Sequence, residues 1–502
     1  MPDRRFTWIL ITLAVVVRAA AVLGLQSHTL PHSTYEHGEI AANLLAGRGF
    51  SVKFLGAEGP TSQQAPVYPL IVAGAYALGG VETPRALLIL ELGQAILGGM
   101  LVMGVLRLAR EVAPGSHWVA RGAGVIAALH PTLVYSATHV QVAGLAATLM
   151  TFSLAAAYRT GRAGSLRGTF KTGLWLTFLT LTDPILGLSM VGACWAVALS
   201  RSVAPFSPSC EGGAGGGDPG PIHRAKVITP PNPPFARGGK DLSPQIPVRA
   251  TVKSIAIIGL TLALGLLPWT VRNYRVHGEF VAVKSTFGYA FWQGNSALSE
   301  GTDKVVRASV EKALRLPGSS FDPRTLNAAL WKARHEAGYL DDIALSRADY
   351  RILGGVSEPE RSRILFRKAI IDLRADPLRY PRLCLRRLRY FFLFDETNPK
   401  TRNALYRVSH LGSSILAVLG LSLAGPSLRR RLVPTFVTVA LIACFHALTI
   451  VSVRFHVPIE PLLAVWAGCG LARVSAARSH DVERVGVVYR LHHRPAAANV
   501  RD

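Results

Sequence analysis

Runs of about 20 apolar residues, separated by short polar turns, recur along this chain and constrain its fold more than any motif does. The first, FTWILITLAVVVRAAAVLGL from Phe6 to Leu25, is long enough as a helix to cross the roughly 30 Å of a bilayer core. No water reaches backbone groups there, so each run must satisfy its own hydrogen bonds, which a helix does within one segment. Further runs lie near 86–106, 121–138, 140–158, 171–183, 185–200, 252–270, 409–425, 433–451 and 457–473. They predict an all-α polytopic membrane protein with about ten transmembrane helices. Composition agrees: 50% of residues are hydrophobic and 17% charged, whereas a soluble chain carries about a quarter charged.

The net charge of +25 does not point to nucleic acid, because the basic residues lie mainly between apolar runs and in the tail. They report topology and contact with anionic lipid. Arg4 and Arg5, then Arg107, Arg110 and Arg121, then Arg159, Arg162, Arg167 and Lys171, then the 201–253 loop, Arg429 to Arg431 and the tail from Arg473 form successive clusters. All fall on one face if Val67 to Leu78 lies in the outer interface without crossing. The positive-inside rule makes that face cytoplasmic and puts both termini there. No small-residue cleavage site follows the first run, so it reads as a retained helix. The five cysteines lack CxxC spacing and imply neither a disulfide framework nor a zinc site.

The chain then divides into an N-terminal transmembrane module, 1–200, with a first outer loop at 26–66. A Gly- and Pro-rich cytoplasmic loop follows at 201–251, without the apolar period needed to bury a core, and so disordered. A helix at 252–270 leads to a mainly helical outer-face domain at 271–408. C-terminal transmembrane helices at 409–474 and a basic cytoplasmic tail at 475–502 complete the chain. Near the end of the outer domain, Arg379, Arg382, Arg386 and Arg389 alternate with Leu383, Leu385, Tyr390 and Phe391. This reads either as an interfacial helix on anionic headgroups or as a surface helix packed on its own domain.

Chemistry collects on the outer side. Glu36 and Glu39, three residues apart, share a face if the first loop begins as a helix; one can act as general base while the other orients it or binds a partner. Arg272, Asn273 and Arg275 lie just past one span, Arg454 and His456 just before another, and Tyr68 just after the first loop. Arginines at that depth can grip a lipid phosphate through paired hydrogen bonds, or serve only as interfacial anchors. His139, Gln141 and Asp183 reach the same side. Asp183 serves either to cap the helix starting at Pro184 or to touch substrate. Glu91 and Gln94, inside the 86–106 run, are functional candidates by burial, although Glu91 also fits beside Arg85 near the interface. Gly47-x-Gly49 is a turn, because no strand precedes it and no Walker lysine follows.

Four segments in this order, YEHGEIAANLLAGRGFS, GPTSQQAPVYPLIVAGAYALGG, LPWTVRNYRVHGEFVAVKSTFGYAFWQGN and RFHVPIEPLLAVWAG, resemble the GT-C class of membrane glycosyltransferases. The resemblance is to bacterial relatives of the protein O-mannosyltransferase and lipid A aminoarabinose transferase group, and it spans nearly the whole chain. It implies a sugar donor carried on polyprenyl phosphate, an acceptor that is lipid, glycan or protein, and a bacterial inner-membrane location. It further implies an acidic catalytic residue in the first outer loop, matched by Glu36 first and Glu39 second. Some members of the class hold a divalent cation there, but two carboxylates do not by themselves make a hard-cation site. The chain departs from the pattern in having Glu36-His37 for Asp-Glu, Gln64-Ala65-Pro66 where a lysine often precedes the proline, and Gln141 where a second acid is common. Two other readings stay open: a non-catalytic polyprenyl-lipid-binding relative, and a lipid or sugar transporter, against which the absence of an internal repeat argues.

Overall fold

The structure, a computed structural model, describes residues 2–31, 34–202, 248–304, 307–315 and 322–473. Most of the expected cytoplasmic loop and the whole basic tail lie outside the described residues. The first module comprises α1 (Pro2–Leu25), α2 (Tyr35–Leu45), strands β1 (Ser51–Phe54) and β2 (Ala57–Pro60), and α3 (Val67–Gly79). It continues through α4 (Pro84–Val112), α5 (His117–Leu129), α6 (Pro131–Tyr135), α7 (Ala143–Ala163), α8 (Leu166–Thr180) and α9 (Ser189–Ser202).

After α10 (Val248–His277) come seven shorter helices: α11 (Phe287–Asn295), α12 (Arg307–Leu314), α13 (Pro323–Glu336), α14 (Leu340–Ala344), α15 (Arg347–Gly354), α16 (Glu358–Ala375) and α17 (Arg379–Phe392). α18 (Ala404–Leu423), α19 (Pro426–Leu448) and a last helix, α20, at 460–473 close the described chain.

Among the described residues, seven helical segments are long and apolar enough to cross a membrane, which makes this a multi-pass membrane protein. They are Arg4–Thr29, Pro84–Val112, Pro184–Arg201, Val248–His277, Ala404–Leu423, Pro426–Leu448 and Val453–Arg473. The other three expected crossings fall on α5 with α6, on α7, and on α8, none of which meets that standard of length and hydropathy. The two helices α5 and α6 are broken at Pro131; α8 has 15 residues. α7 is enclosed by α4, α8 and α9. Its buried Thr148, Thr151 and Ser153 hydroxyls bond back to carbonyls four residues earlier, which satisfies them without a partner helix.

The chain is not wholly helical. β1 and β2 form an antiparallel hairpin within the first loop, and Leu55 and Gly56 turn it with φ of 49° and 83°. Both turn residues having positive φ is the twist that suits a two-residue hairpin. Gly56 is also pressed on α15: a Cβ there would meet the Tyr350 carbonyl oxygen at 2.5 Å. Phe50, Val52, Phe54 and Leu55 share one apolar core with Phe291, Trp292, Leu353 and Leu365. The first loop therefore packs on the segment after α10.

An arginine inside the first span explains how the broken helix is tolerated. Pro131 has no N–H for the Ala127 carbonyl. Arg18, 1% exposed, donates to Ala127 O at 3.0 Å and Ala128 O at 2.9 Å. The guanidinium reaches them across α4 at Gly98, where a Cβ would lie 2.2 Å from Arg18 Cδ. Gly99 admits Val15 and Ile11 beside it, so α1 and α4 meet through small residues.

Candidate functional site

α2 starts at Tyr35, whose φ of 49° is a strained left-handed conformation for a non-glycine residue. Glu36 follows in the first turn, partly buried, with Gln63 Nε2 at 3.5 Å from its Oε1. His37 is buried edge-on against the Tyr68 ring, centroids 4.9 Å apart. Burial, reinforced by the charges of Lys284 and Arg454, pushes its pKa down to about 3, so the imidazole is neutral. Tyr68 donates to Gln94 Oε1 at 2.8 Å and accepts from the Gln141 backbone N–H at 2.7 Å. Gln94 in turn donates to the carbonyls of Ala137 and His139. Tyr68 and Gln94 thus pin the turn that follows α6.

A lysine that the sequence reading passed over reaches the same neighbourhood. Lys284, from the loop between α10 and α11, donates through Nζ to Gln64 Oε1 at 3.1 Å. Burial holds its pKa below the usual lysine value and Arg454 adds to that, while Asp183 and Glu36 oppose it. Carboxylates from two loops and an arginine from a third therefore act on one ammonium group.

Beside Tyr35 opens a small cleft, lined among others by Tyr135, His139, Gln141, Arg334, Lys400 and Arg454. Basic side chains in and around it rest on aromatic faces. Lys400 Nζ donates to Tyr135 Oη at 2.5 Å and lies 4.1 Å from the Trp331 ring centroid. The Arg334 guanidinium is 5.3 Å from the Tyr35 ring centroid and 5.6 Å from that of Trp331. Lys304, 1% exposed, sits 3.4 Å from the Tyr339 ring centroid; its Nζ has no hydrogen-bond partner among the described residues. Burial pushes Lys304 down to about 7, and burial with the charges of Arg334 and Lys304 pushes Lys400 well below the lysine range. Nearby Asp395, buried and hydrogen-bonded by Thr397, is raised by burial to about 7. Arg334, Lys400 and Arg454 line this cleft, and Asp395, which acts on Lys304, is weakly ionised; such a setting suits an anion.

The remaining predicted residues have other partners. Glu39 Oε1 accepts the Lys53 backbone N–H at 2.7 Å, tying α2 to β1. Arg272 donates to the carbonyls of Thr61 and Phe50 at 2.5 and 3.0 Å. Asn273 is buried between Ser62 and the carbonyls of Val281 and Val283. Both hold the first loop against α10, and Arg275 is exposed. Glu358, not singled out in the sequence, receives Thr61 Oγ1 at 2.6 Å, the Ser62 N–H at 2.8 Å and the Ser285 hydroxyl. Glu91 pairs with His28 at 2.9 Å, and Asp183 caps Ile185 at 3.2 Å. In α17, Arg379 donates to the carbonyls of Asn295, Ser296 and Ser299, while Arg386 and Arg389 pair with Glu300 and Glu396. His456 lies with His410 and Glu460. Side chains grouped closely enough to hold a metal ion occur, among the described residues, at His130, His410 and Glu460, apart from Glu36 and Glu39.

The fold and site define a mostly helical, multi-pass membrane protein with a cationic cleft beside its first loop. No protein-family profile matches the chain, and no curated protein sequence does. Among solved structures it matches GT-C glycosyltransferases at low identity. One is the oligosaccharyltransferase AglB from Archaeoglobus fulgidus in complex with an inhibitory peptide and a dolichol-phosphate. There the TM-score is 0.48 and the identity 12%, over 100% of this chain and 53% of that one. Another is ArnT from Cupriavidus metallidurans bound to undecaprenyl phosphate, with TM-score 0.37 and 12% identity over 93% of this chain and 77% of that one. The chain spans about half the length of the archaeal protein.

Proposed function

We propose that this chain is a membrane glycosyltransferase that moves a sugar from a polyprenyl-phosphate donor to an acceptor hydroxyl, with inversion, on the periplasmic face of a bacterial inner membrane. The observation that carries this reading is the cleft in which Arg334, Lys400 and Arg454 meet beside the loop bearing Glu36. A phosphate leaving group gains negative charge as the anomeric bond breaks, and cations fixed in a poorly hydrated cleft stabilise that charge without reorganising. The acceptor oxygen attacks the anomeric carbon and its proton passes to Glu36. The bond from that carbon to the phosphate oxygen breaks with its electron pair on the phosphate. Attack from the face opposite the leaving group inverts the centre. Lys284, which interacts with Glu36 and Arg454, would align Glu36 toward the cleft.

The test is transfer from radiolabelled polyprenyl-phosphate hexose or pentose by the purified protein in detergent, with crude envelope as acceptor. Glu36→Gln should lower the rate by at least about 100-fold with donor binding retained, the loss expected of a general base. Arg454→Ala should weaken donor binding as well. Donor binding without transfer, across several sugars, would replace the enzyme with a lipid-binding protein; lipid transport that survives Glu36→Gln would favour a carrier.

A further inference from the structure

Behind the cleft, three histidines surround one carboxylate, and they belong to different parts of the fold. His130 precedes the break between α5 and α6, His410 lies on α18, His456 on the turn before α20, and Glu460 begins α20. All four are buried, none more than 5% exposed. His410 Nδ1 is 3.2 Å from Glu460 Oε1, His456 Nε2 is 3.5 Å from the same oxygen, and His130 Nε2 is 3.6 Å from Oε2. The donor atoms of His130, His410 and Glu460 lie within 4.8 Å of one another.

Hydrogen bonding accounts for only part of this arrangement. His410 Nε2 lies 2.9 Å from the Phe392 carbonyl, which can only accept, so that nitrogen carries a proton. In a neutral ring Nδ1 then bears a lone pair aimed at a carboxylate oxygen. Neither nitrogen of His456 and not Nδ1 of His130 has a hydrogen-bond partner among the described residues. Ser413 Oγ, whose single proton has the Ser409 and His410 carbonyls as acceptors, is 3.1 Å from His130 Nε2. The Nδ1 of a neutral His410 and the unpartnered nitrogens of His456 thus lie about an anion inside an apolar surround, whose charge either a proton on His410 or a cation at the centre neutralises.

We propose that His130, His410 and Glu460, with His456 at their side, form a structural site for a zinc-class divalent transition metal. Ligand bonds of about 2.0–2.1 Å in a tetrahedron put neighbouring donor atoms about 3.3–3.4 Å apart. His410 Nδ1 and His456 Nε2 lie 3.2 and 3.5 Å from Glu460 Oε1, either side of that edge, and His130 Nε2 lies 3.6 Å from the other oxygen, Oε2. Imidazole ligands select zinc and its neighbours over magnesium and calcium, which prefer oxygen. The Phe392 carbonyl fixes the His410 tautomer as an outer partner does in such sites. Two histidines and a carboxylate would hold the ion, with His456, 3.5 Å from Glu460 Oε1, beside them, so the ion's work is to join α5, α18 and α20. His456 is two residues from Arg454, and the ion thereby holds the segment that presents Arg454 to the cleft. The site does not depend on what the cleft binds.

The experiment is metal analysis of the full-length protein in detergent after zinc loading and desalting, with visible spectroscopy after cobalt loading. The expected result is about one zinc per chain, and cobalt bands in the visible of the intensity that tetrahedral coordination gives. His410→Ala and Glu460→Gln should each fall to below about a tenth of the wild-type zinc, whereas Arg454→Ala should keep it. Zinc retained equally by these variants, or a wild type that retains none and gives no tetrahedral cobalt bands, overturns the proposal in favour of a shared-proton network. If the variants do not fold, the wild-type stoichiometry and cobalt spectrum still decide.

Discussion

Lys284 Nζ donates to Gln64 Oε1 at 3.1 Å, across 220 positions of sequence. In the GT-C resemblance a lysine often precedes the proline after the first loop, and this chain has Gln64-Ala65-Pro66 there. An ammonium group nonetheless arrives, carried by a different loop and held by the glutamine.

On the proposed function, Lys284, which interacts with Glu36, should matter for donor handling. We expect Lys284→Met to lower sugar transfer by about 10- to 100-fold, the scale of losing one fixed cation near a developing phosphate charge. Gln64→Ala, which frees the amine without removing it, should cost less. Donor-concentration dependence of the rate checks this; equal losses from both would show that the pair only supports the loop.

Lys304 and Asp395 give opposite pH dependences to stability. Lys304 falls to about 7 in the folded protein from about 10.4 unfolded. Between these values the unfolded chain holds more protons, so stability rises with pH. Asp395 rises to about 7 from about 3.9. Between those values the folded state holds more protons, so stability falls as pH rises. Together they predict a stability minimum near pH 7. Thermal melts in detergent from pH 5 to 9 should show it, with Lys304→Met flattening the alkaline limb and Asp395→Asn the acid limb.

Phosphate binding should also charge Lys304. At pH 8 the free protein holds it largely neutral, and an anion in the cleft raises its proton affinity. Calorimetry of polyprenyl phosphate in two buffers of different ionisation enthalpy should reveal proton uptake approaching one per ligand, lost in Lys304→Met. Absence of uptake in the wild type would mean that the lipid phosphate lies elsewhere.

Arg18 and Gly98 should be coupled. Arg18→Met leaves the Ala127 and Ala128 carbonyls unpaired in an apolar setting, a loss of about 2–4 kcal/mol. Gly98→Val should destabilise comparably, because its side chain would occupy the space of Arg18 Cδ. The double variant should be less damaging than the sum, since the valine no longer meets the arginine. Detergent melting temperatures of the three proteins measure the coupling.

Glu358 gathers donors from both sides of the loop junction, so Glu358→Gln should weaken the first loop more than the membrane helices. Limited proteolysis should then cut near 55–65 under conditions where α4 and α7 stay protected.

The positions of the apolar runs were legible because the length and hydropathy needed to cross a bilayer are properties of consecutive residues. The three runs that fell short show the limit: a helix enclosed by protein, such as α7, can carry Thr and Ser that lipid would not favour. Glu36, Tyr68 and Arg454 were readable as candidates from their places beside spans. Arg272 and Asn273 looked alike by that measure, yet bind the first loop's own backbone. Nothing along the chain distinguishes an arginine aimed at a cleft from one aimed at a carbonyl. Lys284 with Gln64, Arg18 with Ala127, and His130 with His410 and Glu460 meet across long separations, and helix packing alone decides which polar groups share a buried space. The sequence by itself determined a helical, membrane-spanning chain, because hydrocarbon tolerates little else. The tertiary structure decided which charges face one another, because that depends on rotations and depths of helices that hydropathy does not encode.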